Sequence, residues 1–229
     1  MLNNKFIFIT GGNRGIGRGL VQNLSKNNNV IFSVRKKEKG EQVIKALSRP
    51  NLDYIVMDID NKDSIEDAIS IISSKYESID ILFNNAGILI PEYHLAAIET
   101  SERSILKTFQ TNTLGPLRIC KAIIPLMKNG GRIINISSGM GQLDEMEGGS
   151  TAYRLSKTAL NALTKILSVE LKNFKIKVNT ICPGWVQTDM GGINADLSVR
   201  EATEIIVKFS LAEEFPNGKF FKQGEEIPW

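Results

Sequence analysis

Lys5-Phe6-Ile7-Phe8-Ile9-Thr10 runs directly into Gly11-Gly12-Asn13-Arg14-Gly15-Ile16-Gly17. Phe6–Ile9 is an unbroken apolar run without polar alternation, the pattern of a strand covered on both faces. Glycine then permits a tight reversal, and a helical pattern begins at once near residue 15. Gly11 and Gly15 let backbone approach a diphosphate at a helix N-terminus, and Gly17 lets that helix pack close to the sheet. The spacing is GxxxGxG rather than GxGxxG, and Arg18 after Gly17 excludes a Walker A loop. Strand, glycine turn and helix in this order read as the opening of a dinucleotide-binding βαβ unit.

The same alternation continues along the chain. Lys5–Thr10, Val30–Val34, Leu52–Met57, Ile79–Phe83, Arg132–Ser137 and Lys175–Ile181 read as strands, and a short closing strand is expected around Lys219–Phe221. Helical periodicity occupies residues 15–28, 38–47, 62–75, 101–128, 150–173 and 196–209. Repeated β-α units of this size predict an α/β fold of Rossmann type, a doubly wound parallel sheet with helices on both faces. No repeat, low-complexity tract or linker interrupts it, so residues 1–229 are expected to form one domain.

Composition removes several function classes. A hydrophobic share of 42% with 23% charged residues is ordinary globular composition. The formal charge is +3, from 28 basic and 25 acidic residues. That is too even for a nucleic-acid footprint. No apolar run reaches the ~20 residues that cross a bilayer, and no signal-peptide pattern is present, so a cytoplasmic protein is expected. Cys120 and Cys182 lack metal or redox spacing and read as buried thiols. His94 is the sole histidine, in a loop-like stretch, and no metal site is expected.

Ligands of such sheets sit beyond the carboxyl ends of the strands. After strand two, Ser33-Val34-Arg35-Lys36 offers cations and no acid, and Arg14 adds another. An acid there would suit the ribose hydroxyl of NAD; guanidinium suits the 2′-phosphate of NADP, so NADP(H) is favoured.

With Met57-Asp58-Ile59 after strand three, Asn84-Asn85-Ala86-Gly87 after strand four, Asn112, Ser138, Tyr153-Arg154-Leu155-Ser156-Lys157 and Cys182-Pro183-Gly184-Trp185-Val186-Gln187-Thr188, the chain resembles the short-chain dehydrogenase/reductase superfamily. The resemblance covers essentially all of it. The last two blocks and the closing Ile227-Pro228-Trp229 look most like C-factor/Sniffer-type carbonyl reductases. It implies an NADPH-dependent oxidoreductase moving a hydride between the nicotinamide and a small neutral carbonyl or alcohol. Tyr153 would be the general acid/base, Lys157 its tuner, Ser138 the holder of the carbonyl, and Asn112 the support for a relaying water. Gly11, Asn13, Arg14, Gly15, Ile16, Gly17 and Arg35 would bind the cofactor with Asn85, Ala86 and Gly87. Asp58 and Ile59 would flank the adenine, Pro183, Gly184, Val186 and Thr188 the nicotinamide side, and Tyr153 and Lys157 would also touch the cofactor. The family also implies a homodimer or homotetramer through helices 101–128 and 150–173. Leu160, Leu163, Leu167 and Leu171, however, read as core.

The chemistry can be argued without the family. Tyr153 and Lys157 are four residues apart, on one helix face. Bringing a phenol from ~10 to ~7 takes roughly 4 kcal/mol. One cation at ~4 Å supplies that at an effective dielectric of ~20. Ser138 would stabilise charge developing on the carbonyl oxygen. Ser137 is the alternative, and strand alternation makes the two mutually exclusive. The separation of Ser138 from Tyr153, 15 residues, exceeds the family's commonest arrangement, with the extra length in Gly139–Gly149. That loop carries Asp144, Glu145 and Glu147 and no cation, so neutral carbonyls are expected over anionic acyl carriers.

Gly148-Gly149-Ser150-Thr151-Ala152 fails as a nucleophile elbow, and Ser150 reads as a helix N-cap. Two readings remain beside the carbonyl reductase: an NADP(H)-binding redox sensor or signalling protein with incidental turnover, and a β-ketoacyl-thioester reductase.

Overall fold

A computed structural model describes residues Met1–Trp229. Its sheet has eight strands in the order β3-β2-β1-β4-β5-β6-β7-β8. These are β1 (Phe6–Ile9), β2 (Asn29–Val34), β3 (Leu52–Val56), β4 (Ile79–Asn84), β5 (Met127–Ile136), β6 (Lys177–Cys182), β7 (Phe220–Lys222) and β8 (Glu225–Ile227). All neighbours are parallel except β7 and β8. The order reverses between β1 and β4, where two crossovers diverge and leave a crevice.

Unbroken apolar runs form strands because both faces are covered. Ile7 and Ile9 join Phe32, Phe83 and Ile134 under α1 (Gly15–Leu24) and α7 (Val199–Ser210). Phe8 points the other way, with Ile31, Leu82 and Ile133, under α3 (Lys62–Lys75), α5 (Gly115–Ile123) and α6 (Thr151–Glu170). Leu160, Leu167 and Leu171 of the anticipated stripe are buried in the core, and Leu163 packs partly buried against it; Leu155, Ile166 and Val169 are exposed. No helix is long and apolar enough to cross a membrane.

Three elements differ from expectation. The helix expected over 101–128 is broken: α4 (Glu102–Phe109) and α5 are separated by a π-turn over Gln110–Leu114, and β5 already starts at Met127. Pro116 has no N–H to give the Asn112 carbonyl, which a continuous α-helix requires. Instead the Gly115 N–H reaches back to Gln110 O. Strand β6 begins at Lys177, because Lys175 is left-handed at φ 56° after a short 3-10 turn. Strand β8 was not anticipated; Gln223 and Gly224, at φ 54° and 92°, turn the chain back along β7.

Candidate active site

The carboxyl ends of β1, β2, β4, β5 and β6 open onto a cavity of about 380 Å³ at the reversal of strand order. Gly11, Asn13, Arg14, Gly15, Ile16, Gly17 and Arg35 line it, as do Asp58, Ile59, Asn85, Ala86 and Gly87. Ser138, Tyr153, Lys157, Pro183, Gly184, Val186 and Thr188 complete the anticipated set on its far wall. Asn112 stands behind this lining.

The glycine turn is held by groups distant in sequence. Gly11 N–H donates to Ser33 Oγ at 3.1 Å and Gly12 N–H to Ser33 O at 3.0 Å. Asn85 Nδ2 donates to the carbonyls of Thr10 and Gly11 at 2.9 and 3.1 Å, which explains an asparagine immediately after β4. A Cβ on Gly17 would lie 2.1 Å from Gly11 O, so only glycine fits beneath the turn. Helix α1 starts with no side-chain cap and no acid in its first turn. Its first N–H groups therefore face the cavity wall without a protein partner, the arrangement that binds phosphate. Arg35 lies in the same cavity, exposed and in no ion pair, while Arg14 is engaged across the mouth by Asp189. This donor set fits a dinucleotide carrying an additional phosphate.

The reacting groups cluster on the other side. Tyr153 and Lys157 occupy the first turns of α6, which Ser150 enters in a left-handed conformation at φ 50° without capping by its side chain. Lys157 is 5% exposed, its Nζ donates to Ile136 O at 2.8 Å, and it sits 5.6 Å from the Tyr153 ring centroid. Burial lowers its pKa to about 8, with nearby Cys182 acting in the opposite sense. Burial also pushes the Tyr153 phenol above its ordinary value, Cys182 adds to this, and the neighbouring Ser138 side chain pulls it back. The chain alone thus does not produce the lowered phenol anticipated from one lysine cation. Desolvation is the larger effect, and the ammonium is directed at the Ile136 carbonyl.

Ser138 is the serine beside the phenol, and its Oγ also accepts from Met140 N–H at 3.2 Å. Ser137 is buried, with its hydroxyl toward Lys157 O at 3.5 Å. Asn112 is fixed by Ile88, accepting its N–H and donating to its carbonyl, both at 2.8 Å, and donates to Ser156 Oγ at 3.0 Å. A Cβ on Gly87 would lie 3.1 Å from Asn112 Oδ1 and 3.8 Å from Lys157 Nζ, so bare backbone separates the two.

Sequence reasoning missed several lining residues. Ile88, Leu89, Met140, Trp185 and Met190 add apolar side chains to the cavity lining. Asp60 accepts from Lys107 Nζ and Thr111 Oγ1, both at 2.7 Å, tying the end of β3 to the π-turn. Trp185 and Asp189, within or next to the Pro183–Thr188 block, were legible candidates; Lys107 and Thr111 carry no local signal. Asp144, Glu145 and Glu147 do not line the cavity, and Glu147 is paired with Arg154 at 3.2 Å.

Known proteins resemble this chain in sequence and fold. Residues 5–196 match the family model described as short chain dehydrogenase. The chain is 36% identical over 207 residues to an uncharacterized oxidoreductase of Schizosaccharomyces pombe, covering 88% of this chain and 79% of that protein. The carbonyl reductase Sniffer of D. melanogaster superposes with a TM-score of 0.89 at 34% identity, over 99% of this chain and 100% of that one. An NADPH-bound carbonyl reductase from chicken fatty liver gives 0.91 at 29% identity, over 100% of both chains. The chain belongs to the short-chain dehydrogenase family.

Proposed function

We propose that this protein is an NADPH-dependent carbonyl reductase acting on small neutral aldehydes or ketones. The observation that carries the reading is the meeting, in one cavity, of a phosphate-ready helix end and Arg35 with Ser138, Tyr153 and Lys157. The NADPH-bound carbonyl reductase among its structural relatives supports the cofactor.

When bound, the reduced nicotinamide supplies the hydride. The protein's own groups do the rest. Pro183, Gly184, Val186 and Thr188 would hold the nicotinamide end, and Asp58 and Ile59 the adenine end. Ser138 Oγ hydrogen-bonds the carbonyl oxygen, an interaction that strengthens as that oxygen gains charge. Tyr153 gives its proton to the same oxygen as the carbon receives the hydride, so the alcohol leaves neutral. Its raised pKa keeps the phenol protonated at neutral pH, the state a donor requires. The Lys157 ammonium stabilises the phenolate left behind, and Asn112 supports the water that returns a proton through Lys157.

Apolar residues in the cavity lining support the substrate class. Ile88, Leu89, Met140, Trp185 and Met190 suit a neutral carbonyl with an apolar substituent. The test is NADPH consumption against neutral aldehydes, ketones and diketones, with NADH and Tyr153→Phe as controls. Turnover selective for NADPH and lost in Tyr153→Phe is expected. Tight NADPH binding with no turnover would favour a redox-sensing role, and preference for acyl-carrier thioesters a β-ketoacyl reductase.

A further inference from the structure

Asp60 follows Asp58 and Ile59 out of β3 and lines the cavity. Its N–H donates to Asp58 Oδ1 at 3.0 Å, and Asp58 N–H to Ser64 Oγ at 3.0 Å, so this short segment is fixed from within. Asp60 Oδ2 accepts from Thr111 Oγ1 and Lys107 Nζ, 51 and 47 positions away, both at 2.7 Å. Thr111 is 6% exposed and directly precedes Asn112, while the Lys107 side chain is 55% exposed. The threonine bond is therefore sheltered, and solvent screens the lysine. Two further contacts join the same segments. Arg118 Nη1 lies 3.3 Å from both Ile59 O and Gln110 O, the carbonyl that also receives the Gly115 N–H closing the π-turn. A Cβ on Gly115 would lie 2.8 Å from Ile59 Cδ1. On the opposite side, Thr113 Oγ1 donates to Ser156 O at 2.8 Å. The π-turn is thus braced at Thr113 toward α6 and at Thr111 toward the end of β3, with Asn112 between them.

We infer that Asp60 is a positioning residue for the proton relay, holding the π-turn through Thr111 so that Asn112 stands where it serves Lys157. The inference rests on the carbonyl-reductase reading and on the relay role of Asn112. A π-turn is rare within an α-helical run; Pro116 enforces this one from inside, and Asp60 sets its position from outside. Without the Thr111 hydroxyl the turn is braced from α6 alone. Asn112 then shifts, and return of a proton to Tyr153 slows, while the glycine turn, Arg35, Ser138 and Tyr153 keep their own contacts.

The experiment measures kcat, KM and the solvent deuterium isotope effect on kcat at saturating NADPH, together with NADPH affinity in the absence of carbonyl. It compares the natural protein with Thr111→Val, Thr111→Ser, Asp60→Ala and the Thr111→Val/Asp60→Ala double variant. Urea midpoints confirm that each is folded, and Thr111→Val, close to threonine in shape, carries the test if Asp60→Ala does not fold. Thr111→Val and Asp60→Ala should each lower kcat about three- to tenfold, short of the ~100-fold loss of a ~1 Å misplacement because Ile88 still holds the Asn112 carboxamide. The isotope effect should rise, because return of a solvent proton then limits turnover, and NADPH affinity should not change. Thr111→Ser should restore kcat, and the double variant should be no slower than either single one, the signature of coupled residues. An unchanged kcat in Thr111→Val overturns the positioning role. So does weaker NADPH binding at an unchanged isotope effect, which would make Asp60 a contact of the adenine end. A natural protein without NADPH turnover would sink the carbonyl-reductase reading and the positioning role together, whereas natural turnover indifferent to Thr111→Val sinks the positioning role alone.

Discussion

The ammonium of Lys157 is held in a place that disfavours its charge, and this can be measured on the protein without substrate. Its pKa falls from 10.5 to about 8 through burial. At about 1.36 kcal/mol per unit, the charged side chain destabilises the folded state by roughly 3 kcal/mol at neutral pH. Lys157→Met removes that burden and forfeits the bond to Ile136 O, worth about 1 kcal/mol. The variant should therefore be more stable by about 2 kcal/mol at pH 7, while losing turnover. The pH dependence has a definite sign. Between about 8 and 10.5 the unfolded chain binds more protons at this site than the folded one, so the natural protein gains stability as pH rises through that window. The advantage of Lys157→Met is then full below pH 8 and shrinks toward 10.5. Cys120, pushed up to about 12 by burial, acts oppositely above its ordinary 9, but it is present in both proteins and cancels in the difference. Urea unfolding at pH 7 and 9.5 supplies the two numbers. A variant no more stable than the natural protein at pH 7, or one whose advantage is unchanged at 9.5, refutes the reasoning.

Other outcomes follow from the same geometry. Arg35→Gln should weaken NADPH binding by about 10- to 100-fold, the worth of charge-assisted hydrogen bonds to a phosphate, and leave NADH binding nearly unchanged in a titration. Equal losses for both nucleotides would place Arg35 away from the 2′-phosphate. Gly17→Ala forces a methyl to within 2.1 Å of Gly11 O and 2.5 Å of Asn85 Nδ2. It should cost about 3 kcal/mol of stability, at the upper end for overpacking because backbone must move, and nucleotide binding should fall with it. A variant that melts and binds like the natural protein would show that the turn is looser than drawn.

Much of the site was readable because it is local. A tyrosine and a lysine four residues apart share a helix face wherever that helix packs, and Gly11, Gly15 and Gly17 state their turn in their own spacing. The break at Asn112 had a signal too, in Gly115-Pro116, but helical periodicity over 101–128 hides it. The bond from Asn112 to Ile88 that exploits the break spans 24 positions. Acids in Gly139–Gly149 were placed at the mouth by proximity to Ser138, whereas none of them lines the cavity and Glu147 pairs with Arg154.

The sequence by itself determined the alternation of strands and helices through β7, the parallel doubly wound class, the glycine-turn and Tyr153–Lys157 part of the cavity lining, and the family. These rest on periodicity and short-range spacing, which near neighbours encode. Tertiary structure alone decided that Arg14 reaches Asp189 and that burial raises the Tyr153 phenol. Desolvation and cross-chain pairing depend on which surfaces meet, and no local pattern of residues carries that information.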